Sequence, residues 1–192
     1  MNLKKLAIFA SGSGTNAENI IRYFSGNKAV QVCMILSNNK DACVLERAKK
    51  YKIPAVVFDR DNFYKTDEIL NLLVSNQVFM IVLAGFLWLI PLNILRAYPQ
   101  RIINIHPALL PKYGGKGMYG SRVHQAVIDN RDPESGITIH YVNEEYDKGN
   151  IIFQTRCEVL PSDTPESLAA RVHQLEYKYY PEIIGNLIRG ES

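Results

Sequence analysis

Leu3-Lys4-Lys5-Leu6-Ala7-Ile8-Phe9-Ala10-Ser11-Gly12-Ser13-Gly14-Thr15-Asn16 is the stretch on which the reading of the fold turns. Leu3 to Phe9 is a short apolar run of strand character, and Ala10 to Asn16 is a segment of small residues. A helical pattern then runs to Phe24, with Ile20, Ile21 and Phe24 on one face. Strand, tight loop, helix is the unit from which layered α/β sheets are assembled.

The same unit recurs outward from there. Val30 to Ser37, Ala55 to Phe58, Met80 to Ala84 and Arg101 to Ile105 read as further strands. Ala42 to Lys50, Thr66 to Ser75 and Pro91 to Ala97 read as the helices between them. Strands this apolar, alternating with helices, predict a parallel sheet covered on both faces. After about residue 130 the pattern changes, and Gly136 to Val142 and Ile151 to Glu158 are two β-rich runs around a polar turn. They predict an antiparallel addition to the sheet. Thr164-Pro165-Glu166 opens a final helix, with Thr164 as N-cap and proline in the first turn. Leu168, Val172, Leu175 and Tyr179 are its expected core stripe, and Pro181 is expected to kink or break it. With no internal repeat or linker, residues 1–192 are expected to form one domain.

The chain of 192 residues carries 22 Lys and Arg against 19 Asp and Glu, a formal charge of +3. The bases are scattered, in runs no longer than Lys4-Lys5 and Lys49-Lys50, which is too thin for a nucleic-acid footprint. The strongly apolar stretch Phe79 to Leu92 is too short to span a membrane. Cys33, Cys43 and Cys157 are odd in number and widely spaced, as reduced cysteines of a cytoplasmic protein would be.

Three constellations carry chemistry. In Ser11 to Asn16, small residues let the backbone approach a ligand closely, and the following helix N-terminus attracts an anion. Gly12-x-Gly14-x-x-Ala17 satisfies a loose dinucleotide fingerprint, but the second strand ends Ser37-Asn38-Asn39 without the carboxylate that holds a ribose. A phosphate site is therefore favoured over a nicotinamide site, and a plain tight turn is the bland alternative. Asn104-Ile105-His106-Pro107 lies at the C-terminal end of the fifth strand, where α/β sheets bind ligands. Alternation puts Asn104 and His106 on one side, and Pro107 and Pro111 stiffen the loop that follows. An amide beside an imidazole can stabilise an oxyanion and supply general acid or base, although a lone histidine there is more often structural. Asn143-Glu144-Glu145-Tyr146-Asp147-Lys148-Gly149, taken alone, is a solvated hairpin turn. Glu176 stands between Val172 and Tyr180 on the last helix, so its carboxylate could point toward packed structure and would then need a partner.

Together these segments resemble the folate-dependent formyltransferases, in their glycinamide ribonucleotide branch. The resemblance runs over Ser11 to Asn16, Leu83-Ala84-Gly85-Phe86, Asn104-Ile105-His106-Pro107-x-Leu109-Leu110-Pro111, Gly136 to Val142 and Asp147-x-Gly149-x-Ile151-Ile152. It implies an α/β, Rossmann-like, mostly parallel sheet with helices on both faces and an antiparallel C-terminal strand pair. It implies transfer of a formyl group from 10-formyltetrahydrofolate to the amine of 5-phosphoribosylglycinamide in purine biosynthesis, without a metal. Asn104, His106 and Asp147 would be catalytic, with Asp147 favouring an imidazolium that donates to the oxyanion alongside Asn104. Gly14, Thr15, Asn16, Pro107 and Glu176 would contact the ribonucleotide. Phe86, Leu87, Trp88, Ile90, Val142, Asn143, Glu144 and Glu145 would contact the folate. The partners would be these small molecules alone, and the protein a monomer or homodimer.

Three departures from the family pattern stand out: Trp88 where arginine is common, His173 where glutamine is common, and a longer Tyr113 to Ser121 segment rich in glycine. That segment is expected to form a mobile loop over the active site, and it leaves His124 unassigned. A formyltetrahydrofolate hydrolase and a methionyl-tRNA formyltransferase are disfavoured because the regulatory or RNA-binding domain that each adds is not expected here. A non-catalytic phosphate-binding protein would have no need of Asn104, His106 and Asp147 together.

Overall fold

Alternation along Lys4–Phe9 (β1) sends Leu6 and Ile8 to one face of a sheet and Ala7 and Phe9 to the other, and all four are fully buried. A strand buried on both faces needs helices on both faces, and the computed structural model, which describes residues 3–190, has them. In chain order there follow α1 (Thr15–Tyr23), β2 (Val30–Ser37), α2 (Cys43–Lys50), β3 (Ala55–Val57), α3 (Arg60–Tyr64), α4 (Glu68–Ser75) and β4 (Val78–Leu83). Then come α5 (Leu92–Ala97), β5 (Ile102–His106), α6 (Ser121–Asp129), β6 (Glu134–Tyr141), β7 (Ile151–Glu158) and α7 (Pro165–Arg189).

The strand order is β3-β2-β1-β4-β5-β6-β7. The first five pair in parallel, while β6 runs antiparallel to β5 and β7 antiparallel to β6. This is the expected Rossmann-like sheet with its antiparallel addition. Helices α1, α2 and α7, with Val127 of α6, cover the core holding Leu6, Ile8, Val82, Ile103 and Ile139. Helices α3, α4 and α5 cover the other, which is rich in aromatic rings around Phe9, Phe58, Phe63 and Phe86. The chain leaves β1 toward β2 on one side, and β4 lies on the other. The strand order therefore reverses between β1 and β4, which opens a crevice at their C-terminal ends.

Two expectations about α7 change. Pro181 does not break the helix, which is continuous to Arg189. Proline deprives the Tyr177 carbonyl of its intrahelical donor, and the Asn19 side-chain amide of α1 donates to that carbonyl instead at 2.7 Å. The deeply buried stripe also sits differently, as Leu168, Val172, Glu176, Tyr180 and Ile184, leaving Leu175 and Tyr179 only partly buried at its flank. Tyr180 is accommodated because its hydroxyl donates to the Leu83 carbonyl at 2.8 Å, with the Ile103 carbonyl at 3.3 Å. Helices α3 and α6 lie in stretches to which the sequence reading assigns no element.

Candidate active site

The reversal of strand order, the end of β5 and one face of α7 converge on a cavity of about 790 Å³. That is the size of a site for one or two small molecules. It is lined by Gly14, Thr15, Asn16, Phe86, Leu87, Trp88, Ile90, Asn104, His106, Pro107, Val142, Glu145, Asp147 and Glu176, so fourteen expected site residues meet in one place. Asn143 and Glu144 do not line it. The Asn143 carboxamide oxygen accepts from the Glu145 backbone N–H at 3.0 Å, closing its own turn, and Glu144 faces a neighbouring hollow with Asp67 and Leu92.

At the β1 end, Gly14 caps α1 in left-handed conformation with φ 71°. A β-carbon there would lie 2.5 Å from that of Val44, so only glycine lets the loop lie against α2. Helix α1 then points its first N–H groups at the cavity, the arrangement that binds a phosphate. Ser11 ties this loop to the β4 side, because its hydroxyl accepts from the Leu87 N–H at 3.0 Å.

Asn104 and His106 project from β5 on one side, as alternation requires. The loop after them is clamped from β6 and β7. Thr138 Oγ1 donates to the Ala108 carbonyl at 2.7 Å and accepts from Leu110 N–H at 3.0 Å, and Gln154 donates to the Leu110 carbonyl at 2.9 Å. Asp147 reaches the pair from the β6–β7 turn. Its Oδ1 lies 3.4 Å from the Asn104 amide nitrogen, and its Oδ2 lies 3.5 Å from His106 Nδ1. The Gly115 N–H donates to Oδ2 at 2.9 Å.

His140 is the residue that sequence reasoning passed over. The antiparallel register sets it opposite Asn104, and its Nε2 lies 3.2 Å from the Asn104 amide nitrogen and 3.5 Å from Asp147 Oδ1. Its Nδ1 donates to the Tyr141 carbonyl at 2.8 Å, so Nε2 is free to accept from Asn104 while the ring is neutral. The signal was Gly136-Ile137-Thr138-Ile139-His140, but its meaning depended on which strand it paired with.

Charge in this cluster follows from burial. Burial drives the His106 pKa below the ordinary histidine value, and the opposing pull of Asp147 and of the Tyr113 carbonyl does not offset it. The ring in the resting site is therefore neutral. Its Nε2–H is donated to the Tyr113 carbonyl at 2.7 Å, and Nδ1 faces Asp147. Burial would raise the Asp147 pKa, but the His140 and His106 rings beside its oxygens and the Gly115 N–H together hold it below the usual carboxylate range. Asp147 is thus the anion of the cluster.

At the opposite wall, Glu176 is buried and does find partners. Its Oε2 accepts from the Asn16 amide at 2.8 Å and from His173 Nδ1 at 2.7 Å. That bond to Glu176 raises the His173 pKa. His124 is buried on α6 facing His173, and burial first, then His173, lowers its pKa. Asn16 Oδ1 and His124 Nδ1 are buried without a hydrogen-bond partner, which marks this wall as polar surface awaiting a ligand. The third wall is apolar. Trp88 packs among Phe58, Phe63, Tyr64 and Phe86 with the Arg60 guanidinium over its ring at 5.0 Å, and Leu87 stands 41% exposed. Residues 115–121 of the glycine-rich segment, with Arg122 after it, also line the cavity.

The formyl transferase family profile matches residues 4–184. The chain is 44% identical over 188 residues to a chloroplastic phosphoribosylglycinamide formyltransferase of Arabidopsis thaliana, spanning 95% of this chain and 64% of that protein. It is 40% identical over 187 residues to the phosphoribosylglycinamide formyltransferase of Haemophilus influenzae, spanning 95% of this chain and 86% of that one. Among solved structures it is similar to a phosphoribosylglycinamide formyltransferase from Anaplasma phagocytophilum, with a TM-score of 0.88 and 32% identity over 98% of this chain and 89% of the other.

Proposed function

The chain belongs to the formyl transferase family, and from that premise we propose that it transfers a formyl group from 10-formyltetrahydrofolate to the amine of 5-phosphoribosylglycinamide. The observation that carries this reading is the convergence on one cavity of three things. These are an anion-binding helix start at Gly14 to Asn16, an apolar slot at Phe86 to Ile90 with Val142, and the Asn104–His106–Asp147 cluster between them. A phosphorylated amine and the ring faces of a folate each meet a wall of matching chemistry.

The phosphate sits at the start of α1, and Glu176 and Asn16 offer acceptor oxygens to the ribonucleotide, with Pro107 closing the side toward β5. The exposed Leu87 and the Trp88 and Ile90 side chains suit a flat ring system, with Glu145 at the rim and Asn143 and Glu144 shaping the turn beside it. The folate supplies the formyl group. Asn104 donates its amide N–H to the oxygen that becomes negative when the amine adds to the formyl carbon. His106 enters neutral, takes the proton released by that amine at Nδ1, and as an imidazolium beside Asp147 also stabilises the oxyanion. As the oxyanion re-forms the carbonyl, the bond from the formyl carbon to the folate nitrogen breaks and that nitrogen takes the proton His106 carries, while Asp147 stays anionic beside the ring and the site returns to its starting state. Residues 1–192 form one catalytic domain in this reading, acting as a monomer or homodimer in the cytoplasm on small molecules alone.

The test is consumption of 10-formyltetrahydrofolate by purified protein with and without phosphoribosylglycinamide. Turnover is expected only with the amine present. Equal turnover without it would make the protein a hydrolase, and ligand binding without any turnover would make it a binding protein.

A further inference from the structure

Tyr113 lies outside the cavity, yet its backbone touches the catalytic cluster, and its side chain shows why. The residue has φ 56°, the left-handed region that a non-glycine residue occupies only when something holds it there. What holds it is the turn that follows α6. The Tyr113 hydroxyl donates to Asp132 Oδ2 at 2.9 Å and accepts from the Asn130 amide at 3.0 Å, and Lys112 Nζ lies 3.2 Å from the same Asp132 oxygen. Turned this way, the backbone aims the Tyr113 carbonyl at His106 Nε2 and, two residues on, the Gly115 N–H at Asp147 Oδ2. Gly114 between them is pressed inward, because a β-carbon there would lie 2.6 Å from Leu110 Cδ2 and 3.3 Å from Asp147 Cβ.

We propose that Tyr113 is a positioning residue of the transfer reaction, its tether to Asp132 and Asn130 selecting the tautomer of His106 and the orientation of Asp147. A carbonyl oxygen can only accept, so contact with it fixes the ring proton on Nε2 and presents the Nδ1 lone pair to the reacting amine. Without the tether, the turn loses the contacts that hold it left-handed and the carbonyl withdraws. The proton then becomes free to sit on Nδ1, where it would block the base. The charged or titratable groups around His106 are Asp147, His140, Glu176 and His124. None of them supplies a contact to Nε2 that could replace the Tyr113 carbonyl.

The proposal rests on the role given to His106 in the proposed function, but its decisive readout needs no substrate. Nitrogen-15 NMR of histidine-labelled protein reports the His106 tautomer directly. In the unaltered protein Nε2 is expected to carry the proton. In Tyr113→Phe and Asp132→Ala the Nε2–H form should give way to a mixture, and kcat should fall about tenfold or more, as for other misdirected catalytic histidines. KM for both substrates should stay within about twofold. Asp132→Asn keeps an oxygen that accepts from the tyrosine hydroxyl, so its tautomer and kcat should remain close to those of the unaltered protein. An unchanged His106 spectrum in folded Tyr113→Phe or Asp132→Ala overturns the proposal, as does a kcat loss in Asp132→Asn as large as in Asp132→Ala. A protein inactive on phosphoribosylglycinamide but showing the tautomer shift would overturn the proposed function alone.

Discussion

Asn104, His106 and Asp147 carry different burdens, so their variants should fail differently. Asn104→Ala removes one donor to a developing oxyanion, which should lower kcat by about 10²–10³, or roughly 2.7–4 kcal/mol of barrier, with little change in ligand affinity. Steady-state kinetics checks this, and a loss confined to KM would remove Asn104 from the oxyanion site. For His106 the expectation concerns pH. A buried neutral base has a depressed pKa, so activity should fall on acidification only below the ordinary histidine value near 6.5. The charge of Asp147 works against that depression, so Asp147→Asn should move the acid limb to still lower pH while reducing kcat. A limb that moves upward instead would show that Asp147 does not couple to His106. Legibility at this scale followed local context. Asn104 and His106 share a strand, so alternation alone puts them together. Asp147 and His140 join them only through pairing between β5, β6 and the β6–β7 turn, which no local period encodes. Glu176 announced itself by standing in a core stripe; its partner His173 lies three residues before it, a spacing helical periodicity supplies, but Asn16 comes from α1, which no period of α7 can name.

At the scale of elements, α7 shows how a local rule can be answered from elsewhere in the chain. The proline rule correctly identifies a missing donor at Pro181, but it cannot see that Asn19 on α1 reaches across to fill the vacancy. Asn19→Ala should therefore leave the Tyr177 carbonyl without its donor and destabilise the protein by about 1 kcal/mol or somewhat more. Pro181→Ala restores an N–H at that level of the helix, so Asn19→Ala made in the Pro181→Ala background should cost distinctly less. Denaturant unfolding of the four proteins measures that coupling, and equal losses in both backgrounds would show that Asn19 acts otherwise. Helix α6 was hidden for a different reason. The four glycines at positions 114–120 mark loop, and the helical face of Val123, His124 and Val127 behind them is only nine residues long. Boundaries elsewhere moved by a residue or two, as expected where strand ends and caps compete.

For the whole molecule, the apolar strands and intervening helices made a two-faced sheet legible, but not its order. The period of a strand says which face a side chain takes and nothing about its neighbour, so the reversal between β1 and β4 that opens the cavity had to come from the structure. The same sheet brings α1, α6 and α7 together, and with them histidines whose protonation affects stability in opposite directions. His106 and His124 have pKa values lowered by burial, so the unfolded chain binds their protons more readily and stability falls as pH drops below about 6.5. His173 has its pKa raised by Glu176, so the folded chain holds its proton more tightly. Its contribution is fully present below about 6.5 and is lost as pH rises through the folded value. The groups facing it are Glu176, His124 and the stacked Tyr177 ring, and of these Glu176 dominates. His173→Gln keeps an N–H donor for Glu176 but cannot be charged. Relative to the unaltered protein, its melting temperature should therefore be lower at pH 6 and nearly equal at pH 8.5, making its loss of stability on acidification the steeper of the two. A melting-temperature difference that is the same at both pH values would mean that His173 serves Glu176 only as a neutral hydrogen-bond donor.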